Sequence, residues 1–203
     1  MAGEVPDDVE QGVRSYIDRL VSAFAVLDLH AFSRLVDVLE QARRNGSTVF
    51  LAGNGGSAAT AGHWANDLNK ATKRKGAASM RVVNLTDNIP WLTALANDEG
   101  YDRVFREQID NLAVAGDILI VISASGNSRN LIEAVELARS RNVTTAALLG
   151  FDGGVLNDTV DVPLLARTEI GAYGLAESCH TLLCDIITEC LITSAIATTP
   201  AES

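Results

Sequence analysis

The chain has 203 residues, 47% of them apolar and 21% charged, with a formal charge of −10 from 16 basic and 26 acidic side chains. This composition supports one compact globular unit and excludes global disorder, and no apolar run reaches the roughly 18 residues of a membrane span. The negative field disfavours nucleic acid and anionic membranes as partners, so an anionic ligand must be held by local dipoles and a few placed side chains.

The opening Met1-Ala2-Gly3-Glu4-Val5-Pro6-Asp7-Asp8 is acidic and has no basic stretch leading into an apolar one. It is not read as a secretory signal, and it and the tail 197–203 are expected to fray. Val13, Ile17, Leu20, Val21 and Phe24 recur at helical spacing and predict a first helix. A second, over residues 29–44, carries Phe32, Leu35, Val36, Val38 and Leu39 and stops at Asn45-Gly46, a C-cap signal. These two helices have no obvious place over a five-stranded sheet. Residues 1–45 are therefore read as a helical segment that buries its apolar faces against other copies of the chain. Residues 46–197 are read as the ligand-binding domain.

From residue 47 short apolar strands alternate with helices. Strands are expected over 47–52, 81–85, 117–123, 143–149 and 160–165. Helices are expected to about 69, around 91–96, and over 101–112, 130–139 and 174–195. The pattern predicts an α/β fold, a five-stranded, mostly parallel sheet sandwiched by helices and doubly wound in the flavodoxin manner. Ligands of such sheets bind at the carboxyl ends of the strands.

Two strand ends carry loops that suit a phosphate. Gly53-Asn54-Gly55-Gly56-Ser57 permits close backbone approach and opens a helix whose first N–H groups are unpaired. The plainer reading is a tight turn with Ser57 as N-cap. Ser123-Ala124-Ser125-Gly126-Asn127-Ser128 places three hydroxyls before a second helix, against a plainer reading with Ser128 or Asn130 as cap. Neither loop is a GxxxxGK[ST] phosphate loop. Gly53-x-Gly55-x-x-Ala58 loosely matches the dinucleotide fingerprint. The region some 20 residues on is Lys73-Arg74-Lys75 rather than an acidic strand end, so no nucleotide cofactor is expected. Cys179, Cys184 and Cys190 are odd in number and lack CxxC spacing, which argues for free thiols in a reducing, cytoplasmic setting.

GNGGSAATAGHWAND, ANDEGYDRVF, ISASGNSRNLIEAVELAR and the Gly150-Phe151-Asp152-Gly153-Gly154 turn together resemble the sugar isomerase (SIS) domain family, most closely its phosphoheptose isomerase branch. The resemblance runs from about residue 13 to 191. It implies that Asn54, Gly55, Gly56 and Ser57 help hold the substrate and that Ser123, Ser125 and Ser128 bind its phosphate. It also implies that Asn97 and Asp98 line the sugar site. Ala124 stands where the family often has a hydroxyl residue.

Isomerisation through an enediol needs a base near carbon and an acid near the oxygens. His63 and Asp67 are four apart on one helical face, either a surface pair or part of the site. The resemblance makes His63 a metal ligand and Asp67 the base, where the family has the longer glutamate. It places Glu177 at a glutamine contact for substrate or metal, and Asp185 at the acid and metal-ligand position, where the family has histidine. The acid is then Asp185 or His180, and the plainer alternative for His180 is a surface pair with Glu177 three residues before it. His63, Asp67, Glu177 and Asp185 form an N/O donor set for zinc or another divalent ion. Arg129 is either a cation for the phosphate or a solvated helix-start residue, and His30 is structural.

The expected function is interconversion of ketose and aldose phosphates of seven or eight carbons by a homo-oligomer, expected as a tetramer. The alternative is a non-catalytic SIS module that senses a sugar phosphate or adapts another protein.

Overall fold

A computed structural model of the chain describes residues 6–73 and 78–196. The expected fraying of residues 1–5 and 197–203, and Arg74 and Lys75 of the basic stretch, lie outside the described residues.

The elements follow in order as α1 (Asp7–Ala25), α2 (Leu29–Asn45), β1 (Thr48–Gly53), α3 (Gly55–Lys70), β2 (Arg81–Asn84) and α4 (Ile89–Asp98). A 3-10 turn (Tyr101–Arg103) leads to α5 (Arg106–Leu112), β3 (Ile118–Ser123), α6 (Arg129–Ser140), β4 (Thr144–Leu149), α7 (Gly154–Thr159), β5 (Val162–Leu165) and α8 (Tyr173–Ile196). The strands lie in the order β2-β1-β3-β4-β5, and every pairing is parallel. This is the flavodoxin-like doubly wound order.

Both faces of the sheet are covered, which is why the strands read as unbroken apolar runs rather than alternating ones. Val49, Leu51, Ile118, Ile120 and Ile122 face α2, α3 and α8 through Leu35, Leu39, Trp64, Leu68, Leu183 and Ile187. Phe50, Leu119, Val121 and Leu149 face α5, α6 and α7 through Ile109, Leu131, Val135 and Leu156. Asp117 ties the start of the sheet together. Its two carboxylate oxygens accept from the Thr48 and Val114 N–H groups at 2.8 and 3.0 Å.

The two N-terminal helices behave differently from each other. The Asp28 side chain caps α2 by accepting from the N–H groups of His30 and Ala31, and Gly46 ends it at φ 69°. The side chain of His30 itself is exposed. Leu35 and Leu39 are fully buried in the sheet's own core, so α2 has a place over the sheet that the sequence did not suggest. The α1 helix rests on α8, with Tyr16 Oη 2.9 Å from Ser178 Oγ and Arg19 paired to Glu169 at 2.9 Å. Its apolar residues divide into an inner set, Leu20 and Phe24, and an outer row of exposed Val9, Val13, Ile17 and Val21.

Other differences from expectation are local. The helix expected over 101–112 is broken into the 3-10 turn and α5. The six-residue α7, with Leu156 as its buried residue, is too short to show a period. The edge strand β2 is met by a side chain acting as a strand would. Asn69 Nδ2 donates to the Val82 carbonyl at 3.0 Å, and its Oδ1 accepts from the Val82 N–H at 3.1 Å.

Because α2 belongs to the core, Leu39→Ala should lower stability by about 2–5 kcal/mol, the range for a large-to-small change at a fully buried site. Denaturant unfolding of the full chain checks this. A loss under about 0.5 kcal/mol, as for a surface change, would show that α2 is only an appended segment.

Candidate functional site

The first loop is built for close approach. A Cβ on Gly53 would stand 2.7 Å from the backbone carbon of Ser57, so only glycine lets α3 begin this near the end of β1. Asn54 occupies the N-cap position of α3 without a side-chain cap bond, and Ser57 is the third helical residue. The reading of Ser57 as the N-cap is thereby corrected.

Helices α3 and α8 run side by side in the same direction. Gly56 lies against the Glu177 carboxylate, Thr60 Oγ1 is 3.4 Å from Thr181 Oγ1, and Trp64 Nε1 donates to Thr188 Oγ1 at 3.2 Å. A Cβ at position 56 would meet the carboxylate end of Glu177, which would have to turn away from the first turn of α3. The Glu177 carboxylate therefore sits at the first turn of α3, where the helix dipole favours negative charge.

The serine loop is folded on itself. Ser123 Oγ accepts from the Gly126 N–H at 3.0 Å, and Ser125 Oγ accepts from the Asn127 N–H at 3.3 Å. A hydroxyl that accepts still has its proton to donate, so both serines keep a donor for a ligand. Ser128 stands at the N-cap position of α6 without a side-chain cap bond, and Asn130 is turned elsewhere. Capping does not account for these side chains. The Gly153-Gly154 turn braces the loop from outside, through Leu156 N–H to Gly126 O and Val155 N–H to Asn127 Oδ1, both at 3.0 Å.

The loops meet in a cleft of about 100 Å³ lined by Asn54, Ser57, Ile122, Ser123, Ala124, Ser125, Ser128, Tyr173 and Glu177. The N-terminal residues of α3 and α8 line it, as does the N-cap residue of α6. Such helix ends favour an anion. Arg129 does not reach in. It pairs along its own helix with Glu133 at 2.5 Å, as a solvated helix-start residue does. The cleft lining offers N–H and O–H donors and no cation. A larger depression of about 740 Å³, beside Trp91 and Asn69, contains none of the predicted site residues.

Asn54 joins the two loops. Its carboxamide exchanges hydrogen bonds with that of Asn130 and also accepts from the Tyr101 hydroxyl. Sequence reasoning missed Asn130 and Tyr101 as well as Tyr173. The motif strings contained Asn130 and Tyr101 but not Tyr173, and no spacing rule marked any of the three. Asn97 and Asp98 end α4, are bonded to each other at 2.7 Å, and do not line the cleft of a single chain.

Further along α3 and α8 lies a second cluster. His63 Nε2 is 3.3 Å from Asp67 Oδ2, and these two residues and Asp185 each bring one ligand atom within 4.8 Å of the others. Bonds of about 2.0–2.2 Å to one ion put neighbouring ligands roughly 3–3.5 Å apart, so modest side-chain rotations would let this N/O set hold a divalent ion. Glu177 does not join the cluster. It lines the cleft instead, and the four-residue donor set reduces to three.

His180 belongs to neither place. It is 0% exposed, and neither ring nitrogen has a hydrogen-bond partner. The backbone of Leu149 is near enough to favour the protonated ring slightly, but not within hydrogen-bond geometry. Loss of hydration dominates and pushes its pKa down to about 4. It does not pair with Glu177, and Asp185 is the candidate acid that meets Asp67. Burial likewise raises the thiol pKa of Cys179, and that of Cys184 further, aided by the nearby charges of Asp185 and Asp67.

The SIS domain profile matches residues 14–150. The phosphoheptose isomerase of Aliarcobacter butzleri is 46% identical over 124 residues, which span 60% of this chain and 64% of that protein. The phosphoheptose isomerase of Helicobacter pylori is 36% identical over 163 residues, spanning 79% of this chain and 82% of its own. Among solved structures, phosphoheptose isomerase GmhA from Neisseria gonorrhoeae superimposes with a TM-score of 0.81 at 31% identity, covering 92% of this chain and 98% of that one.

A histidine whose pKa is near 6.5 unfolded and about 4 folded makes the unfolded chain bind more protons between those values. Its neutral form is accommodated fully above pH 6.5, and stability falls as pH drops from 6.5 towards 4, by roughly 3 kcal/mol in all. His180→Leu should flatten this slope in denaturant unfolding across that window. An unchanged slope would mean that the ring finds a partner when protonated.

Proposed function

The chain belongs to the SIS domain family, in its phosphoheptose isomerase branch, and on that premise we propose that it interconverts ketose and aldose phosphates of seven or eight carbons through an enediol, as a sedoheptulose 7-phosphate isomerase does. The carrying observation is that the donor-lined cleft and the His63–Asp67–Asp185 cluster lie along one pair of helices. Glu177 at the first and Asp185 at the second are eight residues apart, a rise of about 12 Å. That is of the order of an extended seven-carbon phosphate ester and longer than a triose or tetrose phosphate.

In this reading Ser123, Ser125 and Ser128 hold the phosphate with hydroxyl and backbone donors, helped by the helix ends. Asn54, Gly55, Gly56 and Ser57 help hold the sugar beside it, and Ala124 supplies a wall without a hydroxyl. The sugar then extends between α3 and α8 towards Asp67. The Asp67 carboxylate takes a proton from the carbon beside the carbonyl, and Asp185 in its acid form gives one to the carbonyl oxygen, leaving a neutral enediol. Return of a proton from Asp67 to the neighbouring carbon, and loss of the other hydroxyl proton to Asp185, completes the exchange and restores both groups. With zinc or a harder divalent ion present, His63 and the ionised carboxylates of Asp67 and Asp185 would hold it, and its positive charge would take the place of the Asp185 proton in polarising the sugar oxygen.

The chain acts as a homo-oligomer, a tetramer by the family's habit. Support comes from the outer row of α1, where Val9, Val13, Ile17 and Val21 lie exposed on one helical face. Asn97 and Asp98, away from the cleft of their own chain, complete a sugar site where copies meet. The cysteines Cys179, Cys184 and Cys190 are free thiols, in keeping with a cytoplasmic setting.

Asp67→Asn should lower turnover of sedoheptulose 7-phosphate by 100-fold or more, of the order set by loss of a positioned base, while phosphate binding is kept. Wild-type turnover in this variant would overturn the mechanism. Absence of solvent-deuterium exchange in the unaltered protein would leave a binding module in its place. Ser125→Ala should weaken sugar phosphate binding by about 1–3 kcal/mol in calorimetry, and unchanged binding would remove the phosphate from the serine loop. Placing Asp at both Val13 and Ile17 should shift light scattering towards smaller assemblies, and an unchanged mass would exclude the α1 row as the contact.

A further inference from the structure

Asn54 is held from two directions by residues that do not line the cleft. Its Nδ2 donates to Asn130 Oδ1 at 3.0 Å, while Asn130 Nδ2 donates to Asn54 Oδ1 at 2.9 Å. The Tyr101 hydroxyl donates to the same Asn54 oxygen at 2.8 Å. An amide oxygen accepts two hydrogen bonds and an amide nitrogen donates two. The Asn54 oxygen is thus saturated, and one Nδ2–H is left for whatever enters the cleft. Asn130 is 2% exposed, so its paired carboxamide is an internal fixture and not a surface accident. The three residues come from three segments: the end of β1, the second position of α6, and the 3-10 turn that follows α4. The node therefore ties the first loop to the serine loop and to the segment that carries Asn97 and Asp98.

We propose that Asn130 and Tyr101 are positioning residues, which touch no substrate and fix the plane of the Asn54 carboxamide so that its remaining N–H meets a sugar oxygen. The identity of the sugar rests on the isomerase reading, whereas the fixing of Asn54 does not. The phosphate group is held separately, by the serine loop. Disturbing the node should accordingly weaken recognition of the sugar and leave recognition of the phosphate alone.

The test compares sedoheptulose 7-phosphate and inorganic phosphate by calorimetry, and follows the side-chain amide resonance of Asn54 in ligand-free, nitrogen-15-labelled protein. Tyr101→Phe removes one donor at a residue that is 54% exposed, a change the fold should tolerate. It should shift the Asn54 resonance and weaken sugar phosphate binding roughly 3- to 10-fold, with inorganic phosphate affinity and melting temperature unchanged. Asn130→Asp keeps the shape but cannot donate to Asn54, and should have the larger effect. Tyr101→Phe combined with Asn54→Ala should bind no more weakly than Asn54→Ala alone, because Tyr101 acts through Asn54. An unmoved resonance, a parallel loss of both affinities, or additive losses in the double variant would each overturn the proposal. If the unaltered chain binds sedoheptulose 7-phosphate no better than inorganic phosphate, the isomerase reading fails, and the Asn54 resonance still decides whether the node fixes that side chain.

Discussion

A parallel sheet forces each helix that follows a strand to begin at the same edge, and the site rests on that constraint. With every strand pointing one way, the starts of α3, α6 and α8 come together beyond the ends of β1 and β3. Convergence alone would leave the helices too far apart to share a small ligand. Gly53 lets α3 start against its strand, and Gly56 leaves room for the Glu177 carboxylate beside the first turn of α3. The unpaired N–H groups of helix starts, ordinarily spread over a surface, are gathered round about 100 Å³.

The two chemical regions answer different electrostatic problems. A chain of charge −10 that binds an anion needs local attraction against its own field. The cleft provides this with dipoles and hydroxyls, and Arg129 is left to Glu133. Carboxylates close to that cleft would work against it, and Glu177 is tolerated there because it sits on a helix start. The acidic residues Asp67 and Asp185 are grouped two turns away with His63. Distance along α3 and α8 thus separates the donor-lined cleft from the cluster of His63, Asp67 and Asp185.

The sequence revealed most of this at the level of elements. The five strands and their parallel sense could be read because each strand is buried on both faces and therefore apolar throughout. The two loops stood out because glycine and serine at strand ends have few other uses. What stayed hidden depends on relations across the chain. Leu35 and Leu39 look the same whether α2 covers the sheet or another subunit. His180 and Asp185 share a helix, and only the packing of that helix turns the first inwards and the second towards His63. Asn130 stood only beside Ser128 as one of two candidate caps, because its partner, Asn54, is 76 positions away. The grouping of Asp185 with His63 and Asp67 came from the resemblance and not from spacing, since 118 positions separate Asp67 from Asp185 and only the packing of α8 on α3 brings them together.

The pairing of Asn69 with Val82 bears on how the molecule meets its surroundings. A sheet edge is a template on which any extended peptide can continue the ladder, including a second molecule caught part-folded. At Val82 both backbone groups are already engaged by an amide that has no chain beyond it, so it ends the ladder as a terminator ends a polymer. Growth by strand addition is thereby discouraged on the β2 side of the sheet. Contacts there must be made through side chains, which can be specific to a partner in a way that a backbone ladder cannot.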